Sequence, residues 1–200
     1  MSRSFLAFVI RLLTGVRQVE MPAERVNVRV FFANHTSHLD FVVIWASLPA
    51  PLRERTHPVA AADYWSANRL RRWLALKVFR AILIPRGKIT REDDPIGKMA
   101  GVLEQGDHLI LFPEGTRSLD GNIGEFHAGL HALTKRCPQA ELIPVYLENL
   151  NHILPKGEFL LVPLMGSTTF GPPCAGPQPQ EGRHNFLNRA RSAVLALADP

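Results

Sequence analysis

The sequence predicts an α/β domain in which a mostly parallel central sheet is flanked by helices. Short apolar runs typical of buried strands alternate along the chain with longer segments of helical periodicity. Crossover helices of this kind connect neighbouring parallel strands and cover both faces of the sheet. With 200 residues, the chain is long enough for one such domain with a proper core.

The positions of the elements follow from the apolar runs and from the residues that end them. Strands are predicted at 26–33, 58–61, 81–84, 108–112 and 142–147, followed by a hairpin or bent strand made of 159–163 and 167–170. Helices are predicted at 38–48 (ended by Pro49), 66–79, 95–105 (ended by Gly106), 125–136 and 183–198.

Composition and charge narrow the class of partner. The hydrophobic fraction of 46% and the charged fraction of 20% are those of a folded globular chain. Two cysteines are too few for a disulfide framework, which favours a reducing compartment. The net charge of +5 favours nucleic acid, anionic lipid or a phosphorylated substrate. No aromatic and basic pattern of a nucleic-acid-binding module is present, so we expect no nucleic-acid partner.

The N-terminal segment 4–13 is apolar but too short to span a bilayer. Its large apolar residues share one broad face of a helical wheel, a pattern typical of a helix lying in a membrane interface. Packing of that face on the domain's own core fits the pattern equally well. We divide the chain into an interface helix, 1–20, and a domain, 21–200. The residues of the apolar face are Phe5, Phe8, Val9, Leu12 and Leu13.

A second candidate membrane surface is the basic helix predicted at 66–79. Arginines alternate there with Trp73, Leu76 and Phe79, which suits an anionic lipid interface. An ordinary solvated helix with a wide buried face is the alternative. The inward stripe is predicted to consist of Leu70, Leu74, Val78 and Ala81.

Polar clusters follow three of the predicted strands, at 34–40, 85–88 and 113–118. In a parallel sheet, ligands bind where loops leave the carboxyl ends of the strands. The coincidence of three such clusters therefore predicts one site at that edge of the sheet.

The first cluster, Asn-His-Thr-Ser-His-Leu-Asp at 34–40, allows three interpretations. Ser37 and Asp40 have the spacing of a capping box for the following helix. His35, His38 and Asp40 could bind a metal ion, although no second cluster supplies further ligands. In the third interpretation, Asp40 holds one imidazole nitrogen while the other removes a proton from a substrate hydroxyl.

The cluster Phe-Pro-Glu-Gly-Thr-Arg-Ser at 112–118 suggests an anion site. The guanidinium of Arg117 offers a planar fork to phosphate, and the amide of Gly115 could add a donor. Arg86 follows a neighbouring strand and can supply a second cation. We therefore expect a phosphate pocket beside the His–Asp pair.

These two clusters resemble the first and third signature blocks of the glycerolipid acyltransferase family, which includes 1-acylglycerol-3-phosphate acyltransferases. Residues 112–118 match the third block at every position, and His35 and Asp40 match the first. Residues 82–86 resemble the second block, and 142–145 resemble the fourth.

The resemblance implies a role for each matched residue. His35 is the expected general base and Asp40 orients it, with no metal and no cofactor. The expected contacts with the glycerol phosphate are Arg86, Glu114, Gly115, Thr116 and Arg117, and those on the acyl-donor side are Pro144 and Val145.

The implied reaction transfers an acyl chain from acyl-CoA or acyl-carrier protein to the free hydroxyl of a lysophospholipid. The expected acceptor is 1-acyl-sn-glycerol-3-phosphate, which gives phosphatidate, and the expected location is peripheral, at the cytoplasmic face of an anionic membrane. Another lysolipid acceptor, or a lipid-binding member of the fold without turnover, remains an alternative.

Overall fold

A six-stranded sheet forms the middle of the computed structural model, which describes residues 3–17, 27–37, 39–85, 93–118, 121–148 and 166–198. The strands are β1 Arg29–Ala33, β2 Thr56–Ala61, β3 Ile82–Ile84, β4 His108–Leu111, β5 Glu141–Glu148 and β6 Ser167–Phe170. Their order is β3-β2-β4-β1-β5-β6. β1 to β5 are parallel, and β6 pairs antiparallel with β5.

Helices cover both faces of this sheet. They are α1 Arg3–Thr14, α2 Asp40–Ser47, α3 Ala50–Glu54, α4 Ala62–Trp65, α5 Arg69–Trp73, α6 Pro95–Glu104, α7 Ala128–Arg136 and α8 Arg183–Leu195, and a π turn at Leu74–Val78 continues α5.

The core consists of two apolar layers, one on each face of the sheet. Successive strand side chains point to opposite faces, so Phe31 and Ala33 join one layer, and Val30 and Phe32 join the other. The first layer includes residues of α1 to α4 and of the π turn after α5, and the second includes residues of α6 to α8. The prediction of a mostly parallel sheet flanked by helices is confirmed.

Most predicted elements lie within a few residues of the observed ones. The prediction that the helix starting near residue 38 ends before Pro49 is confirmed, because α2 ends at Ser47. A further short helix, α3, begins directly after Pro49. Pro51 lies in the first turn of α3, where its missing amide donor costs no hydrogen bond. The predicted strand at 159–163 lies outside the described residues.

The prediction of one continuous helix at 66–79 is wrong. The Asn68 side chain accepts a hydrogen bond from the Arg71 amide at 2.8 Å, so Asn68 starts a new helix, α5. The Phe79 amide then donates to the Leu74 carbonyl, the five-residue spacing of a π turn. These two interruptions shift the helical register of the segment.

The shifted register also changes the buried face of this segment. Leu70, predicted to point inward, is 66% exposed, whereas Ala75 is fully buried. Leu74 and Val78 do pack against the core, and Ala81 is buried, as predicted.

Helix α1 packs on the domain with one face and exposes four large apolar side chains on the other. Ala7 and Thr14 are buried, and Leu6 and Ile10 pack against the first core layer. The opposite side exposes Phe5, Phe8, Leu12 and Leu13. In the described part of the chain, no helix is long and apolar enough to cross a bilayer.

Candidate active site

The loops after β1 and β4 begin side by side. The two strands are parallel neighbours, and Phe32 of β1 is level with Leu111 of β4. Their carboxyl ends therefore direct residues 34–40 and 112–118 to the same edge of the sheet, where the sequence predicted a common site.

His35 and Asp40 form the centre of this site. The imidazole Nδ1 lies 2.8 Å from Asp40 Oδ2, and the carboxylate is completely buried. Because an ionised carboxylate only accepts hydrogen bonds, Nδ1 carries the hydrogen and donates it. The lone pair is then on Nε2, at the free side of the ring, which is the arrangement of an imidazole ready to accept a proton.

Backbone amides hold the carboxylate in place. Asp40 Oδ2 also accepts from the amides of Thr36 at 2.7 Å and Ser37 at 2.9 Å. The Ser37 hydroxyl accepts from the Leu39 amide at 3.2 Å. The same carboxylate therefore orients His35 and holds the loop that leads into α2, whose N-cap residue, Leu39, has no side-chain capping hydrogen bond. Removal of a substrate proton by His35 stays a prediction.

Neighbouring residues also hold the ring face and the backbone of His35. Its ring stacks on Phe112, with the centroids 4.3 Å apart and the planes 22° from parallel. The His35 amide donates to Glu114 Oε1 at 2.8 Å, and its carbonyl accepts from the Ser118 amide at 2.8 Å. The two loops are thus tied together around the histidine.

Glu114 has a different place from the one predicted. It is buried, and its second oxygen, Oε2, accepts from the Gly124 amide at 2.9 Å. Both carboxylate oxygens are therefore used by backbone amides, and a buried anion repels a phosphate. The structure makes Glu114 a link between His35 and residues 121–127 rather than a contact for the glycerol phosphate.

The turn at 113–118 presents donors, but not the one predicted. Gly115 adopts a left-handed φ of 68°, and its amide donates to the Phe112 carbonyl inside the turn. Among the described residues, the amides of Thr116 and Arg117 have no such partner. Thr116 is exposed and Arg117 is half-buried, so these two residues offer the free donors of the loop.

Two cavities open at this edge. A cavity of about 200 Å³ is lined by His35, Phe41, Tyr64 and Trp65, among others. A larger one of about 760 Å³ lies between α6 and α7. The two share a wall formed by Ile84, Leu111, Phe112 and Gly115.

The two residues predicted on the acyl-donor side do not line these cavities. Val145 is fully buried in the first core layer, and Pro144 pairs with Phe32 in the sheet; neither lines either cavity. Arg86 and His38 lie outside the described residues. Their roles, like those of Pro144 and Val145, stay predictions.

The chemistry of the site does not include a cysteine. Burial raises the pKa values of Cys137 and Cys174, which favours their uncharged thiols, and neither lines the His35 cavity. Within the described residues, no group of three or more histidine, cysteine, aspartate and glutamate side chains is placed to bind one metal ion.

Sequence reasoning missed Asn34 as a structural part of the site. Its amide group forms two hydrogen bonds with the Leu147 backbone, donating to the carbonyl at 2.9 Å and accepting from the amide at 2.8 Å. These buried hydrogen bonds attach the start of the loop at 34–40 to β5. A polar residue directly after an apolar strand was the available signal.

Fold and site together define an α/β protein with a histidine–aspartate pair at the carboxyl edge of its sheet. The family model described as acyltransferase matches residues 20–148 of this chain. The chain therefore belongs to the acyltransferase family.

Two similar proteins add detail. A protein of Mycoplasma pneumoniae (strain ATCC 29342 / M129 / Subtype 1), named a probable 1-acyl-sn-glycerol-3-phosphate acyltransferase, is 28% identical over 122 residues. The match covers 58% of this chain and 44% of that protein, so the chain spans less than half the length of this relative. The crystal structure of PlsC, the 1-acyl-sn-glycerophosphate acyltransferase of Thermotoga maritima, superimposes with a TM-score of 0.71 at 18% identity, covering 99% of this chain and 79% of that one.

Proposed function

We propose that this protein transfers an acyl chain from an acyl thioester to the free hydroxyl of a lysophospholipid, with 1-acyl-sn-glycerol-3-phosphate as the acceptor. The observation that carries the proposal is the His35–Asp40 pair at the mouth of an apolar cavity. Family membership and the names of the two similar proteins support the same reaction.

In the proposed mechanism, His35 acts directly on the acceptor. Nε2 removes the hydroxyl proton as the oxygen attacks the thioester carbonyl carbon, and the imidazolium is stabilised by Asp40. A C–O bond forms, the C–S bond breaks, and the proton passes from His35 to the leaving thiolate. No acyl-enzyme is needed in this route.

We assign recognition of the acceptor phosphate to Arg117, with the free amides of Thr116 and Arg117 as additional donors. Within the described residues, Arg117 forms no hydrogen bond or ion pair that would compete for its guanidinium. Arg86 is proposed as the second cation.

Substitution of Arg117 by Gln tests the phosphate assignment. Loss of a charged hydrogen bond of about 1.5–3 kcal/mol predicts a decrease of about 10- to 100-fold in kcat/KM for lysophosphatidate. The matched control is 1-acylglycerol, which has the hydroxyl but no phosphate; its kcat/KM should not change. Equal losses for the two acceptors would contradict the assignment.

We further propose peripheral attachment to the cytoplasmic face of an anionic membrane. The exposed phenylalanines of α1 and the exposed Trp73 and Leu76 near α5 are the surfaces that support it. Acyl-CoA and acyl-carrier protein are both proposed as donors, and turnover measured with each in turn decides between them.

A lipid-binding protein without turnover is the alternative function. A base held by Asp40, with a free Nε2 beside a cavity, has a use in proton transfer but none in binding alone. Mass spectrometry of the lipid product after mixing with thioester and lysophosphatidate separates the two: phosphatidate above the uncatalysed background supports transfer, and its absence with both donors supports binding.

A further inference from the structure

A buried cluster of cations surrounds Trp45 at the end of α2 remote from Asp40. The guanidinium carbons of Arg3 and Arg53 lie 5.5 Å and 5.4 Å from the centroid of the Trp45 ring. Trp45 is fully buried and Arg53 is 2% exposed. This cluster belongs to the first layer of helices and lies outside the His35 cavity.

Part of this arrangement has a structural explanation. Arg53 Nη1 donates to the Leu48 carbonyl at 2.9 Å, and Arg11 Nη1 donates to the Ala46 carbonyl at 3.3 Å. These carbonyls lie at the C-terminus of α2, where the helix dipole favours positive charge. Arg53 Nη2 also donates to the Ser4 hydroxyl at 3.2 Å.

Capping does not account for the remaining donors. Among the residues that the structure describes, four buried nitrogen atoms here have no hydrogen-bond partner: Nε and Nη2 of Arg3, Nε of Arg53 and Nε1 of Trp45. A buried donor left unpaired is unfavourable by about 1–3 kcal/mol, and more for a charged group. Several donors around one ring are therefore left over after capping and could bind a ligand with acceptor atoms.

A ligand that binds this cluster should be an anion, because the cluster has an excess of positive charge. Burial and then repulsion from Arg80 lower the pKa of Arg3, and burial and then repulsion from Arg11 lower the pKa of Arg53. Glu54 acts in the opposite direction on both, but within the described residues no carboxylate forms an ion pair with either arginine. An anion bound between them would relieve this repulsion.

We propose that Arg3, Arg53 and Trp45 bind the phosphate group of an anionic lipid. Phosphate accepts several hydrogen bonds and matches the planar fork of guanidinium. Arg3 is in the first turn of α1, and the same helix exposes Phe5 and Phe8, side chains able to enter the acyl region of a bilayer.

Binding to vesicles tests the site in a protein that carries Arg117→Gln, which removes the proposed substrate phosphate contact. Phosphatidylcholine vesicles with and without phosphatidate are sedimented with this protein and with its Arg3→Gln derivative. We expect Arg3→Gln to weaken binding to the phosphatidate vesicles about tenfold, the loss of one charged hydrogen bond. The matched control, Arg183→Gln on α8, removes the same charge from an exposed side chain on the other helix layer.

Inorganic phosphate forms the second arm and separates the two sources of the ligand. At about tenfold its Kd, phosphate bound at this site should raise Tm by about 3–5 °C relative to chloride at equal ionic strength. Arg3→Gln should remove that rise, and Arg183→Gln should keep it. A structural role of Arg3 alone would lower Tm without phosphate but would leave the size of the rise unchanged.

The outcomes are distinct. Weaker binding to phosphatidate vesicles in Arg3→Gln alone confirms a lipid phosphate site. A phosphate-dependent Tm rise that needs Arg3, with unchanged vesicle binding, overturns the lipid and assigns free phosphate. If Arg3→Gln and Arg183→Gln behave alike in both arms, the site is overturned and Arg3 and Arg53 only cap α2. None of these readouts depends on acyl transfer.

Discussion

At the scale of single residues, Asp40 performs two tasks with one oxygen. Oδ2 accepts the His35 Nδ1 hydrogen and two backbone amide hydrogens, so it fixes the tautomer of His35 and holds the loop that leads into α2. The sequence indicated each task separately, because Asp40 is paired with Ser37 in the capping interpretation and with His35 in the proton-transfer interpretation. Only the structure shows that they are combined.

Replacing Asp40 by Asn tests the tautomer. An amide oxygen accepts fewer hydrogen bonds than the carboxylate, and an NH₂ group facing His35 would force the hydrogen from Nδ1 to Nε2. We expect turnover to fall at least about 100-fold, as removal of an orienting carboxylate does elsewhere. Circular dichroism checks that α2 is retained, and unchanged turnover in a folded variant would refute the orienting role.

Gly115 offers a second residue-scale test with a control nearby in the chain. At a φ of 68°, a Cβ on Gly115 would lie 3.0 Å from His127 Cδ2, whereas at Gly121, with a φ of 82°, it would meet no atom within 4 Å. Both Gly→Ala substitutions carry the left-handed cost of about 1–2 kcal/mol. Only Gly115→Ala should also reduce acyl transfer, since the ring of His127 or the turn at 113–118 must move. Equal activities of the two variants in an acyl-transfer assay would contradict this.

At the scale of elements, α1 shows why an amphipathic pattern alone left two alternatives. One alternative placed the large apolar face in a membrane interface, and the other packed that face on the domain's own core. The helix instead packs through Ala7 and Ile10, and Phe8 is 55% exposed. The periodicity identified the apolar face of α1 correctly. Which face of α1 is buried depends on the surface of α2 against which the helix packs.

Substitution of Phe8 by Ser tests the exposed face of α1. Burial of a phenylalanine side chain in an apolar medium contributes about 1.5–3 kcal/mol, so the vesicle Kd should rise by about tenfold or more. Leu195→Ser, on α8 of the other layer, is the matched control because Leu195 is also exposed. Equal vesicle binding by the two variants, measured by sedimentation, would mean that α1 does not enter the bilayer.

At the scale of the whole molecule, the position of the site at the carboxyl edge of the sheet could be predicted. The reason is that β1 and β4 are each followed directly by a polar loop. The run ending at Ala33 precedes His35, and the run ending at Leu111 precedes residues 112–118. Contacts between distant segments could not be predicted. Glu114 accepts a hydrogen bond from the Gly124 amide, and Arg53 donates one to the Ser4 hydroxyl. Neither contact follows from a local sequence pattern.

His108, at the amino end of β4, should make the free energy of unfolding depend on pH. Burial, followed by repulsion from Arg55 and Arg29, lowers the pKa of His108 to about 4. His108 Nδ1 also accepts from the Arg29 amide at 3.1 Å, which requires an unprotonated nitrogen. Between the ordinary value of 6.5 and about 4, the unfolded chain therefore binds a proton that the folded chain does not.

Stability should consequently fall as the pH drops through this window and should not change above it on account of His108. The loss from His108 is about 3 kcal/mol by pH 4. His108→Asn supplies a similar acceptor that does not titrate. Urea unfolding across this range should show a shallower pH dependence for this variant, and identical slopes for the two proteins would exclude His108 as the cause.

The central claim is that His35 is the base for an acceptor hydroxyl. Thiol release from an acyl thioester tests this claim most directly. The wild-type chain and His35→Gln are compared with lysophosphatidate present and absent. Release that requires lysophosphatidate and falls about 100- to 10,000-fold in His35→Gln is the predicted result. Acceptor-dependent release that persists undiminished in a folded His35→Gln protein would contradict it.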